Sequence, residues 1–390
     1  MKVAPIMAAM SRAGGFESLL VHTGQHYDEH MSRLFFDDLG LRAPDVNLRV
    51  AGGSHAVLTA EVMMRFEPVC IEHRPDGVLV VGDVNSTLAC ALTAAKLGIP
   101  VIHVEAGLRS FDRSMPEEIN RVVTDAISDL LLVSEPSGLD NLQREGVAAE
   151  SVRLVGNVMV DTLLAHRARA DRSNILARLK LRPRAYAVAT VHRAGNVDHA
   201  PTLSAIFDAL RRISDDVPVV FPVHPRTRVR LDAMGHRSGT CDGADLRLTE
   251  PLGYLDFLKL MADAAVVLTD SGGIQEETTI LGVPCLTLRE NTERPITVTQ
   301  GTNRLVGTAT EAIVSAYREA RACPPKGSPP VLWDGRAADR IVACLEQELR
   351  VRARWHMASG VTHPSLPMTP PPGTPRMTLA AGVHSLAWLR

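Results

Sequence analysis

The chain has 390 residues, 45% of them hydrophobic, enough apolar material for two domains of ordinary size. Lys and Arg total 42 against 44 Asp and Glu, a net charge of -2, so no global basic field recruits nucleic acid or an anionic membrane. Six scattered cysteines without a CxxC pair, and no apolar run near the roughly 20 residues that cross a bilayer, predict a cytoplasmic protein with reduced thiols and no membrane partner.

The opening "MKVAPIMAAM" is too short and too early broken by Pro5 to be a secretory signal; Ile6, Met7 and Met10 predict a helix with proline in its first turn. "FESLLVHTG" reads as a strand. From Asp76 to Gly107, "DGVLVVGDVNSTLACALTAAKLGIPVIHVEAG" reads as strand, turn at Gly82-Asp83, helix, Leu-Gly-Ile-Pro and a second strand. Further strands are predicted at 128–134 ("SDLLLVS"), 186–192 ("YAVATVH") and 217–224 ("VPVVFPVH"). From Asp263 to Leu288 the plan of the first unit returns, with Leu-Gly-Val-Pro before its last strand. Alternating β and α with strands apolar on both faces predicts two doubly wound α/β domains. The charged stretch over 160–185 lacks a strand and marks the boundary, giving domains at 1–168 and 169–350. Beyond them, "THPSLPMTPPPGTPR" predicts a disordered tail over 351–390, in which "LAAGVHSLAWLR" could form a short helix.

Strand ends carry the chemistry of such folds. Asp83 follows "VLVVG", Glu105 and Arg109 follow "PVIHV", and His192 and Arg193 follow "AVATV". Singly each reads as a cap or a surface ion pair; together they read as a site. Glu117 and Glu118 open a helix after the Glu105 loop, Glu118 as a complement to the helix dipole and Glu117 equally as that or as a site residue. In "TDSGGIQEE", Ser271, Gly272 and Gly273 form either a phosphate-binding turn or an ordinary Gly-rich turn, and Glu277 lies one turn on, within reach of a ribose diol. Arg289 and Arg294 in "RENTERP" could clamp a diphosphate, which favours a nucleotide diphosphate ligand. Neither GxGxxG nor a Walker A motif is present, and His and Cys do not fall at metal-ligand spacing, so neither a redox cofactor nor a metal is expected.

Taken in order, "GDVNSTLA", "HVEAGLRS" with "MPEEINR", "TVHR", "PVHPRT", "LTDSGGIQEE" and "TERP" resemble the non-hydrolysing UDP-N-acetylglucosamine 2-epimerases, over Lys2 to about Leu349. The resemblance implies two Rossmann-like domains in a GT-B arrangement, a homodimer, and interconversion of UDP-GlcNAc and UDP-ManNAc for cell-surface polysaccharide synthesis. It further implies Asp83, Glu105, Glu117 and His192 as catalytic residues. UDP-binding positions implied by it are Ser271, Gly272, Gly273, Glu277 and Arg294, with Phe257 beside the uracil. Arg109 joins them as a candidate substrate-binding residue. Lys2 matches an active-site lysine that in the family follows a first strand and a Gly-Thr-Arg-Pro-Glu turn, so that strand is expected to be missing from the N-terminal sheet. Gln25 and His26 match an allosteric site of bacterial members, whereas Asp28 replaces its glutamine; Gly195 stands where the family usually has glutamate. Rival readings are a hydrolysing epimerase, a GT-B glycosyltransferase and an inactive sugar-nucleotide-binding remnant.

Overall fold

The computed structural model describes residues 1–24, 38–50, 52–236, 239–240, 245–359 and 375–381. Its strands in chain order are β1 (Glu17–His22), β2 (Val46–Asn47), β3 (Gly77–Val81), β4 (Val101–Ala106), β5 (Leu130–Val133), β6 (Val152–Leu154) and β7 (Ala187–Thr190), followed by β8 (Val219–Pro222), β9 (Gly239–Thr240), β10 (Leu246–Thr249), β11 (Val266–Thr269), β12 (Cys285–Thr287), β13 (Asn303–Leu305) and β14 (Arg376–Ala381). Among the described residues they form two seven-stranded sheets, ordered β2-β1-β14-β3-β4-β5-β6 and β13-β12-β11-β7-β8-β10-β9. Among the described strands only β9 and β10 pair antiparallel. β3, β4, β5, β7, β8 and β11 are buried along their whole length, which is why they appear in the sequence as unbroken apolar runs. The two repeated segments become β3, helix Asn85–Lys96, β4 and β11, helix Gly272–Leu281, β12, as their patterns predict.

The boundary stretch is helical, Val158–Ala170 and Ile175–Arg178. Helix Ala337–Ser359 packs on the first domain. Ala337, Ile341 and Leu345 pack in one cluster with Ile6, Met10 and Leu79. Asp161 caps this helix by accepting the backbone N–H of Ala337 (3.1 Å) and Ala338 (2.7 Å).

The expected disordered tail is ordered in both of its described parts. Residues 351–359 continue helix Ala337–Ser359, and 376–381 form β14, so Leu379 to Ala381 are strand rather than helix. β14 lies between β1 and β3, parallel to both, with six register pairs to β1 from Glu17↔Arg376 to His22↔Ala381, and four to β3. The sheet therefore has a strand where a gap was expected. Met377 and Leu379 are fully buried in the cluster of Ile6 and Leu79. Burying two such side chains contributes roughly 1.5–3 kcal/mol each, and the ladder satisfies the backbone groups of both neighbours. Residues 360–374 and 382–390 lie outside the described part.

Candidate active site

At the carboxyl edge of the first sheet, a bulge delivers Glu105. Val104 pairs with Leu132 and Ala106 with Val133, so Glu105 is skipped in the ladder. Its φ of 69° lies in the left-handed region, which a non-glycine residue adopts only when its surroundings hold it there. Oε2 of Glu105 accepts from Lys2 Nζ at 2.5 Å, while Oε1 is buried without a hydrogen-bond partner. Lys2 sits at the head of helix Val3–Ala13. Gly82 keeps this corner open: a Cβ there would lie 3.1 Å from Lys2 Nζ and 3.9 Å from Glu105 Oε2. Asp83 follows at the end of β3, its Oδ2 bonded to the buried Arg121 guanidinium at 2.7 Å. Burial alone would raise the Asp83 carboxyl; Arg121, Lys2 and Arg294 outweigh it and hold the group below the usual carboxylate range. Glu117 is half-buried at the second position of helix Pro116–Ala126.

Behind this edge stands a buried scaffold that the sequence reading missed. His103, fully buried on β4, reaches Asp125 through Nδ1 (2.6 Å) and the Gly82 carbonyl through Nε2 (2.9 Å). Asp125 also accepts from the Gly107 N–H at 3.0 Å. One imidazole thus ties together the backbones beside Asp83 and Glu105. Arg109 belongs to the same scaffold and not to the cleft, a correction to its expected place in the binding site. Its guanidinium forks onto Glu145 (2.8 and 2.6 Å) and reaches Asp125 at 2.7 Å, with the side chain 1% exposed. Glu118 is more than a dipole complement: it is buried and accepts from the N–H groups of Ser110 and Phe111 and from Arg121.

From the second sheet, His192 follows β7 and Asp270 follows β11. Asp270 lies 2.9 Å from His192 Nδ1 and accepts from the N–H groups of His192 and Arg193 and from Asn196. Burial opposes ionisation of Asp270, but the charge and hydrogen bonds of His192 and Arg193 prevail and bring it to about 2. The Nδ1 contact is one of distance only, since His192 Nδ1 makes no aligned hydrogen bond. Gly195 has open space where a side chain would stand.

Ser271 precedes helix Gly272–Leu281, whose first-turn N–H groups are unpaired within the helix. Arg294 lies directly over it; a Cβ on Gly272 would fall 2.4 Å from Arg294 NH1 and 2.8 Å from Glu293 Oε1, so a side chain here would displace the Arg294–Glu293 pair. Gly273 has its nearest such contact at 3.7 Å, with Met159. Arg294 pairs with Glu276 (2.5 Å) and Glu293 (2.7 Å) and reaches across the cleft to Glu105 at 3.8 Å. Burial would lower the Arg294 guanidinium; Glu276 and Glu293 hold it above its usual value. Glu277 is buried with Oε1 3.1 Å from the Tyr254 hydroxyl and Oε2 unpartnered. Burial pushes it up to about 8.

The two sheets thus bring Lys2, Asp83, Glu105 and Arg294 together, with Gly272 and Glu276 against Arg294 and the His192–Asp270 pair at the end of the adjoining strand, while Glu277, one residue on, turns to Tyr254. Phe257 is not brought to this surface; it is fully buried in the core with Tyr254 and Ile274. Gln25 and His26 lie outside the described residues. Asp270, Glu276 and Glu293 were missed although each stands inside a motif already singled out, "TDSGGIQEE" or "RENTERP". Among the described residues no group of three or more His, Cys, Asp or Glu is disposed to hold a metal ion.

A family model described as UDP-N-acetylglucosamine 2-epimerase matches residues 8–346. A UDP-N-acetylglucosamine 2-epimerase of Methanocaldococcus jannaschii is 41% identical over 349 residues, 88% of this chain and 95% of that protein. A UDP-2,3-diacetamido-2,3-dideoxy-D-glucuronate 2-epimerase of Pseudomonas aeruginosa is 40% identical over 347 residues, with the same coverage. The crystal structure of the M. jannaschii enzyme in complex with UDP-GlcNAc and UDP superposes with a TM-score of 0.83, at 41% identity, covering 89% of this chain and 96% of that one. The fold is α/β, two Rossmann-like domains in a GT-B arrangement.

Proposed function

The chain belongs to the UDP-N-acetylglucosamine 2-epimerase family, and we propose that it inverts C2 of UDP-N-acetylglucosamine to give UDP-N-acetylmannosamine without releasing the sugar. C2–H is not adjacent to a carbonyl, so the C1–O bond to UDP breaks first. The electron pair leaves with UDP, the oxocarbenium-like C1 makes C2–H acidic, and loss of that proton gives a glycal. Return of a proton to the opposite face and re-addition of UDP at C1 complete the inversion, with no net consumption of water or redox equivalents.

The first step needs stabilisation of the departing diphosphate, a task suited to Arg294 and to the first-turn N–H groups at Gly272 and Gly273, with the Ser271 hydroxyl beside them, since the Ser271 N–H is taken by Thr269 Oγ1. Lys2 adds a second cation, and Glu277 is the candidate for the ribose diol. The proton transfers fall to Asp83, Glu105 and Glu117, with His192 donating to the leaving oxygen or orienting a carboxylate. The observation that carries this reading is Glu105: skipped in the ladder with β5 by a bulge, held at positive φ, and meeting cations from both domains, Lys2 and Arg294.

One further substrate has a specific basis, since the Pseudomonas relative named for a diacetamido glucuronate is as similar as the archaeal one. Incubating the purified chain separately with UDP-GlcNAc and with the diacetamido glucuronate nucleotide, and resolving the products by anion exchange, decides between them. UDP-ManNAc as the main product supports the proposal. Free amino sugar with UDP would indicate hydrolysis, and conversion of the uronate alone would move the chain to that substrate.

The cellular setting proposed is the cytoplasm, in keeping with free Cys70, Cys90 and Cys285 and with no described helix long and apolar enough to cross a membrane. A homodimer is proposed from the family resemblance, and light scattering at working concentration tests it.

A further inference from the structure

The occupant of the groove between β1 and β3 is remote in sequence from both walls: Arg376 bonds to Asp76 across 300 positions and to Glu17 across 359. The fit is nevertheless specific. At the entry, Asp76 accepts the Arg376 N–H (2.6 Å) and returns its own N–H to the Arg376 carbonyl (2.7 Å), while Glu17 accepts from Arg376 Nε (2.9 Å) and donates its N–H to Pro375 (2.9 Å). Inside, Met377 and Leu379 are buried in the same apolar cluster as Ile6 and Met10 of helix Val3–Ala13 and Ile341 and Leu345 of helix Ala337–Ser359. The other face meets helix Asn85–Lys96. An acidic mouth and an apolar interior match a segment with one basic residue at its start and none beyond.

The groove also bears on the site. β14 runs parallel to β3, with Ala380 at the level of Val80, two residues before Gly82, and helix Val3–Ala13, which presents Lys2 to Glu105, shares one apolar cluster with Met377 and Leu379. In a βαβ unit a strand feeds the helix that packs on it; here the strand beneath the helix comes from the far end of the described chain.

We propose that the groove between β1 and β3 is a docking site for residues 375–381 of this same chain, held as a peptide ligand is held by strand addition, and that docking sets the position of Lys2 at the catalytic edge. When β14 is undocked, β1 and β3 lose their common neighbour and helix Val3–Ala13 loses its floor.

Hydrogen exchange of the full-length protein tests this without substrate, so its outcome is independent of the epimerase reading. Backbone amides of 377–381 are expected to exchange as slowly as those of Gly77–Val81. Leu379→Asp should speed exchange at 376–381 and at Glu17–His22 by about a hundredfold or more, leaving Ala187–Thr190 and Val266–Thr269 unchanged. Glu17→Arg should loosen 376–381 to a smaller extent, and adding Arg376→Glu should restore the protection. Should Leu379→Asp fail to fold, the native chain and the charge exchange still decide. Exchange of 377–381 at the rate of unstructured chain, with β1 and β3 still protected, would overturn the proposal.

Discussion

The two sheets fill the same central position in opposite ways. In the second, the place between β8 and β11 is taken by β7, the first strand of its domain, and the chain leaves it directly into His192. In the first, the corresponding place between β1 and β3 is taken by β14, which comes after every other described strand. β7 enters a sheet built around it; β14 enters one whose other strands precede it. What a parallel sheet requires at its centre is a short segment that satisfies two ladders and buries both faces. Chain order is secondary, provided the connection is long enough to reach.

Chemistry sharpens this contrast most. Glu105→Gln in the first domain should lower kcat by about 10²–10⁴-fold, with the unfolding midpoint retained, because the bulge that positions it is backbone. A steady-state assay beside a urea melt separates the two effects.

Next comes packing. Leu379→Ala in β14 and Leu268→Ala in β11 remove equally buried side chains, and each should cost about 2–5 kcal/mol by urea denaturation. Comparable costs would mean that the late-arriving strand is as firmly held as the in-line one, whereas a near-zero cost for Leu379 alone would break the comparison.

A third variant probes the second domain. Asp270→Asn should reduce kcat roughly 10–100-fold, the usual cost of losing an outer group that orients a working imidazole. Its KM should change little, and the pH–rate profile should shift, which a merely structural role would not produce.

The smallest effect concerns Glu277. Its carboxyl rises from 4.5 in the unfolded chain to about 8 in the native one through burial, so the native state holds the proton longer. Stability from this group is therefore full below about 4.5 and falls as pH rises through about 8. Glu277→Gln should flatten that part of the stability–pH curve, making the ligand-free variant the more stable at pH 8, while raising KM for the nucleotide sugar.

Much of the fold was legible because buried parallel strands have no polar face to disguise them: Gly77–Val81 and Val266–Thr269 can hardly be read otherwise. β14 was not legible, since "RMTLAA" adjoins a proline run and its partners are hundreds of residues away; only the shape of the groove identifies it. Carboxylates at strand ends were legible from position. Their supports were not: His103 looks like a core residue until its ring is seen between Asp125 and the Gly82 carbonyl, and Arg109 looked like an anion ligand because Glu145, which occupies it, lies 36 residues on. Glu276, beside Glu277 in "IQEE", illustrates the same limit. Adjacent helical residues point in different directions, and only packing shows that Glu276 meets Arg294 while Glu277 meets Tyr254.

In the proposed reaction, carboxylates at the carboxyl edge of the first sheet move the C2 proton while the second sheet holds UDP. Proton NMR of the full chain with UDP-GlcNAc in deuterated water tests it most directly. The account predicts UDP-ManNAc carrying deuterium at C2, with deuterium also entering the recovered UDP-GlcNAc, and both lost in Glu105→Gln. Conversion with the original proton retained at C2, or exchange undiminished by Glu105→Gln, would contradict it.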